Sequence, residues 1–289
     1  MSICAFSLVK NMDLEDLLLP QELKLDDKDV IWNVDFCRLA GDLFMPAYMS
    51  WKKHHDYLEH GKDASILRKN LQYVLQTNVL MNKIDGCFSN MDDAILYIRK
   101  FYDRAFFDKY SISYVDFVEY HTDMFNYKLC TIKDLSHKLI LLVYGKDISN
   151  YNWKVTQSCL NEHGNHDMLS LYEEAMPLFS FIMNKRHSAS HDGKSDISEL
   201  YDLGFVENMR LYSKNNPNLN QNDVERESIN LRLTKGHEHI ANLVSLRNNV
   251  LRFLCRYYHY LYQHFYNTIM EQEEPVFGEN SHQNHNSTY

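Results

Sequence analysis

Residues that interrupt regular structure are scarce in this sequence. It has 9 Gly and 5 Pro in 289 residues, so we expect few tight turns and long regular elements. No apolar run reaches about 18 residues, which argues against a transmembrane helix. Internal repeats, a Gly-rich phosphate loop and Cys-x-x-Cys pairs are also absent. The 45% of residues that are hydrophobic are enough to form a large core.

The six cysteines are widely scattered along the chain. This spacing favours buried free thiols over a disulfide framework or a zinc ribbon. The first ten residues have no cationic stretch ahead of their short apolar run, so a secretory signal is not expected. The sequence therefore predicts a cytoplasmic protein.

Acidic residues are concentrated near the two ends of the chain. The net charge of −9 argues against a nucleic-acid partner if it is taken as a whole. However, residues 11–35 hold eight Asp or Glu against two Lys, and residues 271–289 hold four Glu and no Lys or Arg. The interior of the chain is therefore neutral overall. We predict an acidic lead-in over 1–28 and a polar disordered tail over 273–289.

Apolar residues recur at helical spacing along most of the chain. One stripe runs from Ile66 to Leu80, and another helix is expected to begin at Asn90. A long helix is predicted over about 113–144. The last helical region is expected to be interrupted or bent near Gly236. Together these patterns predict an all-α helical bundle with minimal strand content.

Residues 29–272 are predicted to form a single all-α domain. Within it, residues 145–167 are the least regular stretch, with Gly145 and Gly164 as helix stops. We expect a loop of unusual length here, and loops this long inside a domain are often functional or mobile.

Two prolines and one histidine carry further structural expectations. Pro46 should break or kink the first helix, and Pro177 suits the first turn of a helix that reaches His191. His137 stands among apolar residues and is expected to be a hydrogen-bonded core histidine.

The most reactive stretch is residues 185–193, with the sequence KRHSASHDG. Arginine has a cationic fork that suits phosphate oxygens, and histidine can gain or lose a proton near neutral pH. On a helix, His187 and His191 lie one turn apart on one face, and the long side chain of Arg186 could swing toward His191. These groups suit RNA cleavage by transesterification, in which a 2′-hydroxyl is deprotonated while negative charge builds on a phosphate.

The spacing Arg186-His187-x3-His191 resembles the Arg-[Asn/Asp/His]-x3-His motif of the HEPN superfamily. Its members are all-α domains, and many are metal-independent ribonucleases. The resemblance implies a HEPN-type bundle with extra helices, in which Arg186 orients the scissile phosphate and stabilises its transition-state charge. His191 would exchange a proton with the 2′-hydroxyl or the leaving oxygen, and His187 would position the phosphate or the catalytic histidine. The products would carry 2′,3′-cyclic phosphate and 5′-hydroxyl ends, and no cofactor would be needed.

The same resemblance implies partners. HEPN relatives often act as toxins or in phage defence, so a neutralising partner protein is a further expectation beside the RNA substrate. The resemblance also implies a homodimer, in which two copies of the motif share a composite cleft. No membrane partner is expected.

Two other functions fit the same residues. His163, His166, His187 and His191 have spacings that could bind a metal ion. No carboxylate is spaced as in a metallohydrolase signature, so we predict no metal site. The second alternative is a non-catalytic HEPN-like helical module that binds a nucleotide, RNA or a partner protein.

A second surface is a candidate for guiding RNA. Arg252, Arg256 and His259 share one face of the last helix, and Lys185 adjoins the motif. Tyrosines between these basic residues could stack on bases. Tyrosine at helical spacing is also typical of a core, and a basic stripe is also typical of a solvated face. Both interpretations stay open.

Overall fold

A computed structural model describes residues 25–58, 69–192, 197–213 and 220–270, with the backbone alone over 181–192 and at scattered positions between 29 and 71. The α-helices, in chain order, are α1 (Asp35–Leu58), α2 (Lys69–Lys100), α3 (Arg104–Lys109), α4 (Tyr114–Val143), α5 (Trp153–Glu162), α6 (His166–Asp192), α7 (Tyr201–Ser213), α8 (Gln221–Leu231) and α9 (His237–Met270). Short 3₁₀ helices occupy Lys28–Asn33 and Ser198–Leu200, and a π-helical turn occupies Arg232–Gly236.

The all-α prediction is confirmed, because the described residues contain no strand. The long helix expected over about 113–144 is α4. Among these helices none is both long and apolar enough to span a bilayer. No disulfide joins the cysteines in the described part of the chain.

Contacts group the chain into two compact units. Helices α2, α4, α6 and α9 contribute residues to both of them. Unit 1 comprises the chain up to Asp27, Asn90–Tyr127 and Met183–Leu251, and unit 2 comprises Lys28–Ser89, Lys128–Ile182 and the chain from Arg252. The single domain over 29–272 stays a prediction. The predicted lead-in and tail lie almost wholly outside the described residues.

Unit 2 is built around aromatic side chains of α9. Tyr257 and Tyr258 are buried, and the ring of Tyr258 stacks on Phe36 with centroids 5.5 Å apart. The hydroxyls of Tyr257 and Tyr172 both donate to Ser136, the first to its carbonyl oxygen and the second to its Oγ, each at 2.7 Å. These bonds satisfy buried polar groups that would otherwise each cost about 1–3 kcal/mol.

His137 in α4 belongs to this core but lacks the bonds that the sequence suggested. It is 2% exposed, and its ring stacks on Tyr172 with centroids 5.1 Å apart. Neither ring nitrogen has a hydrogen-bond partner among the described residues, so the prediction of a hydrogen-bonded histidine is wrong while its core position is confirmed. Burial, reinforced by the charge of Lys133, lowers the pKa of His137 from 6.5 to about 4.

Replacing His137 with phenylalanine should stabilise the protein, most of all at acidic pH. The folded state keeps this histidine neutral, so unfolding takes up a proton below its ordinary pKa of 6.5. Stability is therefore lost as the pH falls from 6.5 toward about 4, by about 2 kcal/mol at about pH 5. Urea unfolding at about pH 5 and about pH 7.5 measures the difference, with the exposed His259→Gln as control. The same pH dependence in wild type and His137→Phe would contradict this account.

Unit 1 contains a buried arginine that anchors the first described residues. Arg247 in α9 is 1% exposed, and its guanidinium donates to the carboxylate of Asp92 at 2.7 and 3.1 Å. The same guanidinium donates to the side chain of Asn248 at 3.1 Å and to the carbonyl oxygen of Asp26. The chain before α1 is thereby tied to α2 and α9.

The prediction that a new helix begins at Asn90 is wrong, because α2 runs through this position without interruption. The acidic residues that resemble a helix start have another role, since Asp92 binds Arg247. Met91 is 0% exposed and continues the buried face of α2. The carboxylate of Asp92 therefore has the local sequence pattern of a helix cap, although its partner is distant in the sequence.

The expected break at Pro46 and the expected position of Pro177 are also corrected, whereas a kink of α1 at Pro46 stays a prediction. α1 continues through Pro46, and α6 begins at His166, so that Pro177 lies in its interior and not in its first turn. A proline inside a helix removes one backbone hydrogen bond and crowds the preceding turn. Burial of apolar neighbours offsets that cost, since Ala47 beside Pro46 is 0% exposed and Phe179 near Pro177 is 2% exposed.

The prediction of a long loop over 145–167 is wrong, because these residues contain α5. Asn152 caps this helix, and its side-chain oxygen accepts a hydrogen bond from the backbone N–H of Val155 at 3.0 Å. Gly145 and Gly164, both with φ of +66°, form the turns on either side, where glycine avoids the strain of a side chain. The buried face of α5 consists of Thr156, Cys159 and Leu160.

Candidate functional site

The motif of Arg186, His187 and His191 lies on α6. The helix continues to Asp192, so the motif occupies its last two turns, as the sequence predicts. At about 100° per residue, positions 187 and 191 share one face, and position 186 is about 140° from 191. For residues 181–192, with Lys185 among them, the structure describes the backbone and not the side chains. Their roles therefore stay predictions.

The candidate RNA-guiding residues of α9 all face solvent. They are Arg252, Arg256 and His259. Arg256 donates to a carboxylate oxygen of Glu174 at 2.6 Å, which offsets part of its charge. Tyr257 and Tyr258 are 0% and 2% exposed, so these two rings belong to the core and cannot stack on bases. The basic residues themselves remain candidates for RNA contact.

The alternative metal ligands are only partly described. The Nδ1 atom of His163 lies 2.9 Å from the carbonyl oxygen of Cys159, and its ring meets Tyr144 with centroids 4.6 Å apart. His166 is exposed at the start of α6. In the part of the chain that the structure describes, no group of three His, Cys, Asp or Glu side chains is placed to hold a metal ion.

Unit 1 contains a network of buried charges that no pattern in the sequence predicted. At its centre is Glu207 of α7, which is 0% exposed. Its carboxylate accepts hydrogen bonds from Arg210 at 3.0 and 3.1 Å and from the hydroxyl of Ser228, and lies 3.3 Å from Nε of Arg232. Arg210 also donates to both carboxylate oxygens of Asp108 at 2.6 and 2.7 Å. The network joins α3, α7 and α8.

A more exposed ion pair extends this network toward solvent. Arg104 of α3 binds both carboxylate oxygens of Glu225 in α8, and its guanidinium lowers the pKa of that carboxyl group. The network thus contains three arginines and three carboxylates. Each guanidinium faces a carboxylate, in the pairs Arg104–Glu225, Arg210–Asp108 and Arg232–Glu207. This balance indicates a structural network, because a phosphate would have to compete with these carboxylates.

The bend predicted near Gly236 is the π-helical turn between α8 and α9. Gly236 is buried, and a Cβ atom added there would lie 3.3 Å from the hydroxyl oxygen of Tyr114. Within the turn, the guanidinium of Arg232 lies over the rings of Tyr102 and Tyr114, 5.6 and 5.5 Å from their centroids. Such contacts contribute about 0.5–2 kcal/mol. The turn therefore holds Arg232 between these rings and Glu207.

Glu199, which follows shortly after the motif in the sequence, belongs to a chain of polar contacts. Nδ1 of His239 lies 3.0 Å from a carboxylate oxygen of Glu199, and its Nε2 lies 2.9 Å from Oγ1 of Thr122. Hydroxyl, imidazole and carboxylate stand in the order of a hydrolytic triad. Thr122 and His239 are each 3% exposed, however, so a substrate cannot reach the hydroxyl. We interpret the chain as a tie between Ser198–Leu200, α4 and α9.

The candidate site is therefore the motif at the end of α6. Its interpretation rests on the identity and spacing of Arg186, His187 and His191 and on the all-α fold around them. The buried polar groups of the same unit join helices to one another, and we assign no chemistry to them. No family model, no curated protein and no solved structure matches this chain.

Proposed function

We propose that this chain is a metal-independent endoribonuclease of HEPN type. The observation that carries the proposal is the position of Arg186-His187-x3-His191 on the last two turns of a helix in an all-α chain. This is the setting that the resemblance requires. The resemblance also suggests a toxin or phage-defence effector that acts in the cytoplasm on RNA, with a neutralising partner protein.

In the proposed reaction, the 2′-oxygen of one nucleotide attacks the adjacent phosphorus and the bond to the 5′-oxygen breaks. His191 exchanges the proton of the 2′-hydroxyl or of the leaving oxygen. Arg186 binds the phosphate oxygens, where negative charge develops, and His187 positions the phosphate or His191. The C-terminal end of α6 favours a protonated imidazole nearby by about 0.3–1 kcal/mol.

The proposal includes a homodimer. The reaction needs a proton acceptor and a proton donor, and one motif supplies one arginine and two histidines. A two-fold axis brings the same patch of both subunits together and doubles this set of groups. We therefore propose that two motifs share one cleft.

Incubation of single-stranded RNA with purified protein in excess EDTA tests the proposed activity. Cleavage that persists in EDTA supports a metal-independent nuclease. Cleavage that EDTA abolishes would instead favour the metal alternative, with His163 and His166 among the ligands. The absence of cleavage would favour a non-catalytic module.

A non-catalytic HEPN-like module that binds a nucleotide, RNA or a partner protein is the second candidate function. It is favoured by the way in which unit 1 uses its cations. Arg104, Arg210, Arg232 and Arg247 all bind carboxylates within the unit, so none of these four is directed at an RNA backbone. This candidate predicts that neither the wild-type protein nor Arg186→Ala cleaves RNA.

A further inference from the structure

Aromatic rings of unit 1 contact one another across helices. At the centre is His121 of α4, whose ring centroid lies 4.6 Å from that of Phe117 and 5.2 Å from that of Tyr120. On the side of α2, the same ring lies 5.2 Å from Tyr97, which in turn lies 5.3 Å from Phe101. Burial lowers the pKa of His121, so its imidazole is neutral at pH 7 and belongs to an apolar surface.

The rings continue without a gap to α3. Phe117 meets Phe107 with ring centroids 5.1 Å apart, Phe107 meets Phe106 at 5.3 Å, and Phe106 meets Tyr110 at 5.0 Å. The contacts therefore place side chains of α2, α3 and α4 on one continuous surface. Five of its rings are between 42% and 64% exposed, namely Tyr97, Phe101, Phe106, Tyr110 and Tyr120.

Two more side chains extend this surface along α4. Met124 and Tyr127 follow Tyr120 by four and seven residues and share its side of the helix, and they are 36% and 50% exposed. We call these two side chains and the five exposed rings the aromatic face. It exposes roughly 700 Å². The largest apolar patch of a monomer is usually about 300–600 Å², and one partner of a stable interface supplies about 800 Å². The aromatic face therefore has nearly the area of one side of an interface.

One edge of the aromatic face is acidic. At about 100° per residue, Asp123 and Glu119 lie about 60° and 100° from Tyr120, on the side of α4 away from Phe117 and His121. Burial and the charge of Glu119 raise the pKa of Asp123. Among the described residues, no cation is paired with the carboxylate of Asp123. A cation from a binding partner would relieve the repulsion between the two carboxylates.

The acidic edge indicates what covers the aromatic face. The phosphates of RNA would be repelled by Glu119 and Asp123, although bases can stack on exposed rings. The first 24 residues of the chain carry four Asp or Glu against two Lys, so they would bring further negative charge to this edge. Apolar side chains flanked by lysine or arginine match both the rings and the carboxylates.

We propose that the aromatic face binds an amphipathic helix of another protein, with basic residues along one side of its apolar stripe. The partner helix lies along α4, where Tyr120, Met124 and Tyr127 present contacts over two turns. Helices bound in this way use anchors at i, i+3 or i+4, and i+7. The inference goes beyond the proposed nuclease, because no residue of the motif belongs to the aromatic face.

Two synthetic helical peptides with the same leucine stripe test the proposal, one with lysine and one with glutamate on the polar side. Fluorescence anisotropy should show binding of the Leu/Lys peptide and none of the Leu/Glu peptide. Tyr120→Ala should weaken the binding by about 30-fold, the effect of losing an interface hot spot. Asp123→Asn should weaken it by about 3-fold, because the ion pair that it loses is partly solvated.

Matched controls come from α7 of the same unit. Tyr201→Ala removes a ring that is 76% exposed, and Asp202→Asn removes an exposed carboxylate beside it. Both variants should bind the Leu/Lys peptide like the wild type. Circular dichroism establishes that all four variants fold.

The other possible occupants give different results. Absence of Leu/Lys binding, equal binding of both peptides, or equal binding by wild type and Tyr120→Ala would overturn the proposal. So would tight binding of a single-stranded RNA oligonucleotide that Tyr120→Ala abolishes, or a dimer that Tyr120→Ala dissociates. Peptide binding involves no cleavage step, so its failure leaves the nuclease proposal standing. Conversely, Arg186→Ala should bind the Leu/Lys peptide like the wild type.

Discussion

Replacing Glu207 with alanine should destabilise the protein by about 3–5 kcal/mol. The carboxylate is 0% exposed and binds Arg210, Ser228 and Arg232 at once. Without it, Arg232 loses the carboxylate that it faces and Arg210 retains only Asp108. The two guanidiniums would then repel each other inside unit 1, where water screens charges less than it does at the surface.

Urea unfolding of wild type and Glu207→Ala measures this effect. Glu225→Ala is the matched control, since it removes a carboxylate from the same network at a side chain that is 36% exposed. There we expect a loss of at most about 1 kcal/mol, because solvent screens the pair. Equal stability of Glu207→Ala and Glu225→Ala would show that the buried carboxylate has no special role.

Arg186→Ala and His191→Ala should each lower the rate of RNA cleavage by about 100-fold or more. Loss of Arg186 removes the cation that would bind the phosphate in the transition state, and loss of His191 removes the group that would exchange a proton. Arg186→Lys should retain little activity, because an ammonium cannot reproduce the planar fork of a guanidinium. Cleavage is measured in EDTA at saturating RNA.

The control for these variants is Glu173→Ala, at an exposed position of the same helix. It should cleave RNA like the wild type. Full activity in His191→Ala would remove this residue from the catalytic assignment. Loss of helicity in both Arg186→Ala and His191→Ala, as seen by circular dichroism, would instead give the motif a structural role.

Features that depend on neighbouring residues could be predicted from the sequence. The all-α class, the extent of α4 and the irregular turn at Gly236 follow from local spacing and from glycine placement. The position of the motif before the end of α6 follows in the same way. The first turns of α6 and the whole of α5 were not predicted, because the polar residues of this stretch resemble those of a loop.

Features that depend on distant residues could not be predicted. Asp92 and its partner Arg247 are 155 residues apart, and Asp108 and its partner Arg210 are 102 residues apart. No local pattern distinguishes these carboxylates from caps or from solvated charges. For the same reason the inward face of α7 was not evident, since it is set by Glu207 and its distant partners.

The chemical nature of the RNA ends tests the central proposal most directly. Wild-type protein should cleave single-stranded RNA in excess EDTA and leave 2′,3′-cyclic phosphate and 5′-hydroxyl ends, while Arg186→Ala and His191→Ala leave the RNA intact. Attack by the 2′-hydroxyl produces these ends, whereas attack by a metal-activated water leaves others. Intact RNA with the wild-type protein, or products with 3′-hydroxyl ends that require a divalent metal ion, would contradict the proposal.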